Sequence, residues 1–514
     1  MAKKTDIILS LISGLLLVFA FPPFDFFPLA WMALVPLFLA VGEKNAKTSF
    51  MLGTLTGFAF FLGTIYWVFH SMYFYGYIAA PLSALILILL CLYLAVYIGI
   101  FSVLFNYFSK SSSLPAFFIV PVLWVTLEFL RTYAPILGFP WSSLGYSQYK
   151  LLPLIQIADV TGIYGISFLV AATNGVIFDV AFSWPRRMRN TPLFARWPYM
   201  FYLVIYTVII MSVLFYGFGK LRENGTGQSI MVSVVQGNIP QDKKWDAKFQ
   251  REVIDIYKRL SLSVSVNSPD LIVWPETAVP FIFGYDNNLT QDIITFQKQL
   301  GTHLLFGSML AKDADQLSNS AVLLSPDGNI LSTYDKIHLV PYGEYVPLRK
   351  FFPFIEKITV GIGDFLPGKE PVVMKTPFAK IGDLICYEII FPGLVRKFID
   401  RGATVLVTIT NDAWFGRTSA PYQHFYMSVF RAVENRVPVV RAANTGISGF
   451  IDSKGRIINK SDIFKEATLT EEISVGNQKS FYTKHGDLFA YLCIACSVLM
   501  VIGKLILKKY TSSK

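Results

Sequence analysis

Apolar residues run in long unbroken stretches through the first 220 positions, in short stretches from about 222 to 482, and in one last long stretch near the end. A helix needs about 20 apolar residues to cross the hydrocarbon core of a bilayer. Leu82–Leu104 carries no charge, and at 1.5 Å per residue it reaches roughly 34 Å as a helix. Similar runs lie at about 5–21, 28–42, 49–70, 114–131, 160–182, 199–217 and 487–507, the second of them short. The pattern predicts a membrane α-helical bundle of about eight spans. The first run follows Lys3 and Lys4, as a secretory signal would. Its exit, Phe19-Ala20-Phe21-Pro22-Pro23, is a poor cleavage site and more spans follow, so it reads as a retained helix.

Between 222 and 482 the texture changes, and charged residues recur regularly. Short β-rich runs bounded by turn residues appear at Ile230–Val235, Leu271–Trp274, Ala321–Leu324, Ile330–Tyr334, Val437–Ala442 and Gly449–Ile451. Ile381–Ile385 and Thr404–Thr410 are near-continuous apolar runs, the kind buried on both faces of a sheet. Phe249–Val264 repeats apolar residues at helical spacing, and Pro392–Asp400 and Gln423–Asn435 are shorter cases. Strands alternate with helices, which predicts an α/β domain. The turns at Pro326-Asp327-Gly328-Asn329 and Ser453-Lys454-Gly455 join strands, so part of the pairing is antiparallel. Three stretches follow: 1–221 with the first seven spans, 222–482 facing water, and 483–514 with the last span and a short basic tail.

Composition supports the membrane reading. Of 514 residues 54% are hydrophobic and only 15% charged, where soluble chains are nearer a quarter charged. The net charge of +11 fits cytoplasmic anchoring charge better than nucleic-acid binding, since no basic stripe with interleaved aromatics is visible. Lys3/Lys4, Lys44/Lys47, Lys110, Arg186/Arg187/Arg189 and the tail lysines Lys504, Lys508 and Lys509 fall on one side if there are eight spans. That side is the cytoplasm, with both termini there and the long water-facing segment outside. Glu128 and Arg131, three apart near a span end, are expected to pair with each other, and the aromatic loop Gly138-Phe139-Pro140-Trp141 reads as interfacial. Cys493-x-x-Cys496 lies inside the last apolar run and reads as two small residues of a lipid-buried helix. The histidines are scattered and show no zinc pattern.

Three reactive side chains sit at predicted strand ends, where α/β sheets build their sites. Glu276 follows Leu271–Pro275, Lys336 follows Leu331–Asp335, and Cys386 follows Ile381–Ile385 and precedes a helix. Taken singly, each has an ordinary structural reading: a small core residue, a turn, a solvated ion pair. Together they suit thiol catalysis. A thiol with a pKa near 8.5 is mostly protonated at neutral pH. A carboxylate takes the proton as general base, and an ammonium favours both the thiolate and the oxyanion of a tetrahedral intermediate. His338 reads as a structural residue.

The stretches Trp274-Pro275-Glu276-Thr277-Ala278, Lys336 through Pro347 (Lys-Ile-His-Leu-Val-Pro-Tyr-Gly-Glu-Tyr-Val-Pro) and Cys386-Tyr387-Glu388 resemble the Glu-Lys-Cys triad of the nitrilase superfamily. With Asn411-Asp412-Ala413-Trp414-Phe415-Gly416 and the flanking spans, nearly the whole chain resembles the bacterial apolipoprotein N-acyltransferase family. That resemblance implies an αββα sandwich domain on the outer face of the inner membrane. It implies Cys386 as nucleophile, Glu276 as general base and Lys336 as oxyanion partner, with Glu344, Tyr387 and Glu388 in support and Trp245 and Trp414 near bound substrate. The implied reaction passes an acyl chain from a phospholipid through a Cys386 thioester to the α-amine of a diacylated apolipoprotein, with no metal or cofactor, by a protein expected to be a monomer. Two other readings stay open: a membrane-tethered amidase whose acceptor is water, and a non-enzymatic transporter, for which Asp159 and Asp179 near span ends offer little.

Overall fold

The structure, a computed structural model, describes residues 2–111, 114–134, 138–185, 197–223, 227–313, 316–341, 343–345, 365–476 and 478–512. Arg186, Arg187 and Arg189 of the expected basic loop, and Tyr342, Val346 and Pro347 of the long motif, lie outside the described residues. The chain forms two compact units: Met1–Tyr66, Ala84–Arg222 and His485–Lys514 make a helical unit, and Trp67–Ser83 with Glu223–Lys484 makes an α/β unit. The expected boundaries left out one feature, the segment Trp67–Ser83, which groups with the α/β unit although it lies among the first spans in sequence.

In the helical unit, five helices among the described residues are long and apolar enough to cross a membrane: Ala46–Ile65, Ala80–Lys110, Ile163–Ser183, Met200–Arg222 and Leu488–Ile506. The remaining three expected spans coincide with shorter helices, at Lys4–Phe19, Phe27–Val41 and Ala116–Thr132. Gly53 and Gly57 let Ala46–Ile65 lie against Ala80–Ser111; a Cβ on Gly53 would fall 2.6 Å from the Ile98 carbonyl oxygen and one on Gly57 2.8 Å from Ala95 Cα. Small residues four apart permit such an approach where apolar burial does not drive helices together. Several polar side chains in the bundle are bonded to backbone. Asn174 accepts from Leu34 N–H and donates to Ala30 O, both at 2.8 Å. Glu128 and Arg131 do not pair directly as expected. Glu128 accepts from Trp124 Nε1–H at 2.9 Å and Leu144 N–H at 2.6 Å, while Arg131 donates to Ser143 Oγ at 3.1 Å and lies over the Phe61 ring. Asp159 accepts from the Tyr216 hydroxyl and Asp179 from the Phe117 N–H.

The α/β unit holds two sheets. In the first, β13 (Ala467–Ser474), β1 (Ser229–Gln236), β2 (Leu271–Val273), β4 (His303–Asp313), β5 (Gln316–Leu324) and β6 (Ile330–Asp335) pair in that order, with β3 (Val279–Ile282) on β4. The β1–β2–β4 pairings are parallel and the flanking ones antiparallel. In the second, the order is β12 (Ile457–Lys460), β11 (Gly449–Ile451), β10 (Val439–Ala443), β9 (Val405–Thr410), β8 (Lys380–Ile385) and β7 (Val373–Lys375). Its parallel core is β8–β9–β10. The sheets face each other where β1 meets β10 and β5 meets β8. Helices Gln250–Ser265 and Asn287–Leu300 cover the first sheet, and Pro392–Asp400 and Ala420–Asn435 cover the second. This is the expected αββα sandwich.

Apolar packing fixes the strand end that precedes Glu276. Trp274 is fully buried, stacks on Tyr257 at 5.2 Å between ring centres, and donates from Nε1 to Ser261 Oγ at 2.8 Å. Gly307 on β4 passes so close that a Cβ there would sit 2.6 Å from Glu276 Cα. Trp274→Ala is expected to cost the α/β unit about 3–5 kcal/mol. The measurement is the urea midpoint for protease cleavage within that unit; an unchanged midpoint would show that the strand end is held elsewhere.

Candidate active site

Glu276, Lys336 and Cys386 stand at the ends of β2, β6 and β8, and the two-sheet sandwich brings all three together. Glu276 is nearly buried. Its Oε1 accepts from Asn319 Nδ2 at 2.8 Å and lies 3.4 Å from Lys336 Nζ, while Oε2 accepts from the Asn411 N–H at 2.9 Å. Lys336 is 1% exposed, and its Nζ donates to Glu344 Oε1 at 2.9 Å. Glu344 also accepts from Asn319 Nδ2 and, on its other oxygen, from the Val340 N–H, each at 2.8 Å. The buried Cys386 thiol lies within electrostatic reach of the Glu276 carboxylate and the Lys336 ammonium.

Burial acts on every member. It pushes the Glu276 carboxyl up, but the Lys336 ammonium, the Asn319 amide and Lys244 outweigh it and hold the group below its ordinary value. Burial would lower Lys336, yet Glu344 and Glu276 keep it above the ordinary ammonium range. The Cys386 thiol is pushed well up, first by burial and then by Glu276, with Lys336 opposing. At rest the site is therefore a carboxylate, an ammonium and an un-ionised thiol, a set in which the carboxylate can act as base toward the thiol.

Glu388 holds the two strand ends in register. Its Oε1 accepts from the Tyr334 hydroxyl at 2.7 Å and from the Ile337 and His338 N–H groups at 2.8 and 3.1 Å; its Oε2 accepts from the Ile385 N–H at 2.8 Å. One buried carboxyl thus grips the backbone beside Lys336 and beside Cys386. Tyr387 packs its ring on Phe391 and His338, and His338 is pushed down to about 4 by burial and by Lys336, so it stays neutral. Trp245 and Trp414 lie outside this cluster and are partly exposed. Trp414 meets the Trp67–Ser83 segment: the Ser71 hydroxyl donates to its carbonyl at 2.8 Å and Tyr75 packs edge-on against its ring.

Residues 13–176 of the chain match the apolipoprotein N-acyltransferase N-terminal domain family, and residues 231–481 match the carbon-nitrogen hydrolase family. A protein of Geobacter metallireducens called apolipoprotein N-acyltransferase is 44% identical over 96% of this chain and 94% of its own length. The chain belongs to the apolipoprotein N-acyltransferase family. A Pasteurella multocida relative of the same name is 31% identical over 98% of this chain and 96% of its own. A mutant of the amidase from Nesterenkonia sp. AN1 is similar at 19% identity over 51% of this chain and 94% of that one, with a TM-score of 0.38.

Family membership and the long apolar helices make this a membrane protein. Sequence reasoning missed three polar residues of the site. Asn319 bridges Glu276 and Glu344 from within β5, where nothing marks it apart from an ordinary strand asparagine. Asn411 was noted only as part of a motif. Lys244, next to Trp245, is 1% exposed and donates from Nζ to the Glu276 carbonyl at 2.9 Å. Burial lowers it to about 7, against the pull of Glu276 and Cys386.

The free side chain titrates near 10.5, so the fold penalises the protonated form. The penalty is complete below pH 7, shrinks as pH rises from 7 to 10.5, and is absent above. Lys244→Met is expected to raise the melting temperature most near pH 6 and progressively less toward pH 9. Melting curves across that range check it; a difference independent of pH would mean that Lys244 titrates as a solvated lysine.

Proposed function

We propose that the protein transfers an acyl chain from a phospholipid to the α-amine of the N-terminal diacylglyceryl-cysteine of apolipoproteins, through a thioester on Cys386. The observation that carries the mechanism is a buried Cys386 thiol that feels the charge of a Glu276 carboxylate, which Lys336 and Asn319 keep ionised. Family membership supports the choice of acceptor.

In the first half-reaction Glu276 takes the thiol proton as sulfur attacks the ester carbonyl. The Lys336 ammonium stabilises the oxyanion. Collapse breaks the ester C–O bond, and the proton on Glu276 goes to the departing lysophospholipid oxygen. In the second, the acceptor amine attacks the thioester, Glu276 takes the proton from the nitrogen, and the C–S bond breaks as Glu276 passes that proton to sulfur, which restores the thiol and the carboxylate. Splitting one acyl transfer in two lets donor and acceptor use the same site in turn. Glu344 holds Lys336 in place, and Glu388 holds the backbone that carries Lys336 and Cys386. Trp245 and Trp414, partly exposed on the same unit, line the approach of substrate.

We place the α/β unit on the outer face of the inner membrane, with eight spans and both termini in the cytoplasm. The long apolar helices support the membrane location. Drawing a diacyl lipid into water exposes its methylene groups at roughly 0.8 kcal/mol each, and a site at the bilayer surface leaves them in lipid.

Cys386→Ala is expected to abolish the acyl-enzyme, checked by intact mass after incubation with phospholipid; an acyl mass retained on that variant would move the nucleophile elsewhere. Glu276→Gln is expected to slow thioester formation by about two to four orders of magnitude, read from the burst phase of lysophospholipid release. Labelled phospholipid with a diacylated peptide tests the acceptor: N-acyl peptide is expected, and release of fatty acid to water alone would favour an amidase-like hydrolase.

A further inference from the structure

The α/β unit buries a second polar cluster behind the nucleophile turn. Asp412, His424 and Arg441 have no exposed surface. They come from the loop after β9, from helix Ala420–Asn435 and from β10. None belongs to the Glu-Lys-Cys set. The cluster touches the nucleophile's backbone: His424 Nε2 lies 3.2 Å from the Cys386 carbonyl oxygen.

That contact meets a local need. Cys386 has φ +55°, a left-handed conformation that costs a non-glycine residue about 1–2 kcal/mol. Such strain persists only where the surroundings over-determine the backbone. Glu388 holds the residue before Cys386 through the Ile385 N–H. A donor on the Cys386 carbonyl fixes the peptide after it.

The ring's protonation follows from its neighbours. Arg441 Nη2 lies 2.9 Å from Asp412 Oδ2 and 2.9 Å from His424 Nδ1. A guanidinium nitrogen donates and never accepts, so Nδ1 accepts there. The ring proton then sits on Nε2 and is donated to Cys386. Asp412 Oδ1, which lies 3.1 Å from Nδ1, takes the Thr410 hydroxyl at 2.9 Å. Burial, with Arg441 adding to it, lowers the His424 pKa and keeps the ring neutral.

We infer that His424 is a positioning residue: its Nε2–H on the Cys386 carbonyl holds the left-handed nucleophile turn so that the sulfur meets Glu276, and Arg441 with Asp412 selects the tautomer that does so. This inference rests on Cys386 being the nucleophile.

The test compares full-length wild type, His424→Leu and His424→Gln in detergent micelles. Three quantities are read: the rate of iodoacetamide alkylation at Cys386 by peptide mass spectrometry, kcat and KM for phospholipid with a diacylated peptide, and the melting temperature. In the leucine variant, alkylation and kcat are expected to fall together by about 100-fold, with KM little changed. The glutamine variant, which keeps a side-chain N–H, should regain most of that loss. Wild-type alkylation and kcat in folded His424→Leu would overturn the inference. So would a lower melting temperature in both variants with normal alkylation of the folded fraction. If neither variant folds, 15N-histidine spectra of the wild type decide: a neutral ring protonated at Nε2 supports the assignment, and a proton on Nδ1 refutes it. Wild type that forms no acyl-enzyme would instead sink the reading of Cys386 as nucleophile, an outcome distinct from all of these.

Discussion

Lys336 sits between two carboxylates with almost no water around any of the three. Taking charges out of water costs several kcal/mol per ion, and their mutual attraction offsets this only if the remaining hydrogen-bonding capacity is met. Here it is met by backbone and amide donors: Asn319 serves both glutamates, the Asn411 N–H serves Glu276 and the Val340 N–H serves Glu344. These donors come from β5, from the loop after β9 and from the segment after β6, so the cluster forms only when both sheets are assembled. The candidate site is thus complete only in the assembled sandwich. The same cluster sets the state of the thiol, since it presents a carboxylate that remains a base beside a sulfur whose own ionisation burial suppresses.

The fold and the centre were legible in the sequence to different depths. Glu276, Lys336 and Cys386 stood out only jointly: each follows a predicted strand and has an ordinary structural reading alone, while the three together suit thiol catalysis. The parallel strands β8 and β9 were visible as near-continuous apolar runs. Ala467–Ser474 was not singled out, because a strand at the sheet edge is half-exposed and its Thr-Glu-Glu texture reads as loop. Asn319, Lys244, His424 and Arg441 were hidden for a deeper reason. Their importance lies in which distant groups they touch, and no local pattern encodes that. Glu128 and Arg131 show the converse failure. Helical spacing suggested a pair, but Trp124 and the Leu144 backbone donate to one oxygen of the carboxylate instead.

In the helical unit the constraint is different, because hydrocarbon surrounds the bundle and offers polar groups nothing. Asn174 and Asn106 turn their amides onto backbone carbonyls of other segments, and Gly53 and Gly57 admit a neighbouring helix at close range. Helix length alone does not separate spanning from buried helices in such a bundle. Ala116–Thr132 is largely apolar yet buries Pro121, Glu128 and Arg131; like Lys4–Phe19 and Phe27–Val41 it is shorter than the five helices of full spanning length among the described residues.

The loop Asn411–Gly416 joins these themes. Its first residue holds the Glu276 carboxylate through a backbone N–H, and its second belongs to the buried cluster on the Cys386 carbonyl. Its later residues face outward to the segment Trp67–Ser83: Phe415 packs edge-on against Trp67 at 4.9 Å, and Gly416, at φ +59°, leaves His70 the space that a Cβ would fill. Six residues therefore carry contacts that reach from the proposed base and nucleophile to a stretch of chain that belongs, in sequence, between two apolar helices. Phe415 also packs edge-on against the His424 ring at 5.9 Å, so the outer contacts of the loop connect directly to the buried cluster on the Cys386 carbonyl.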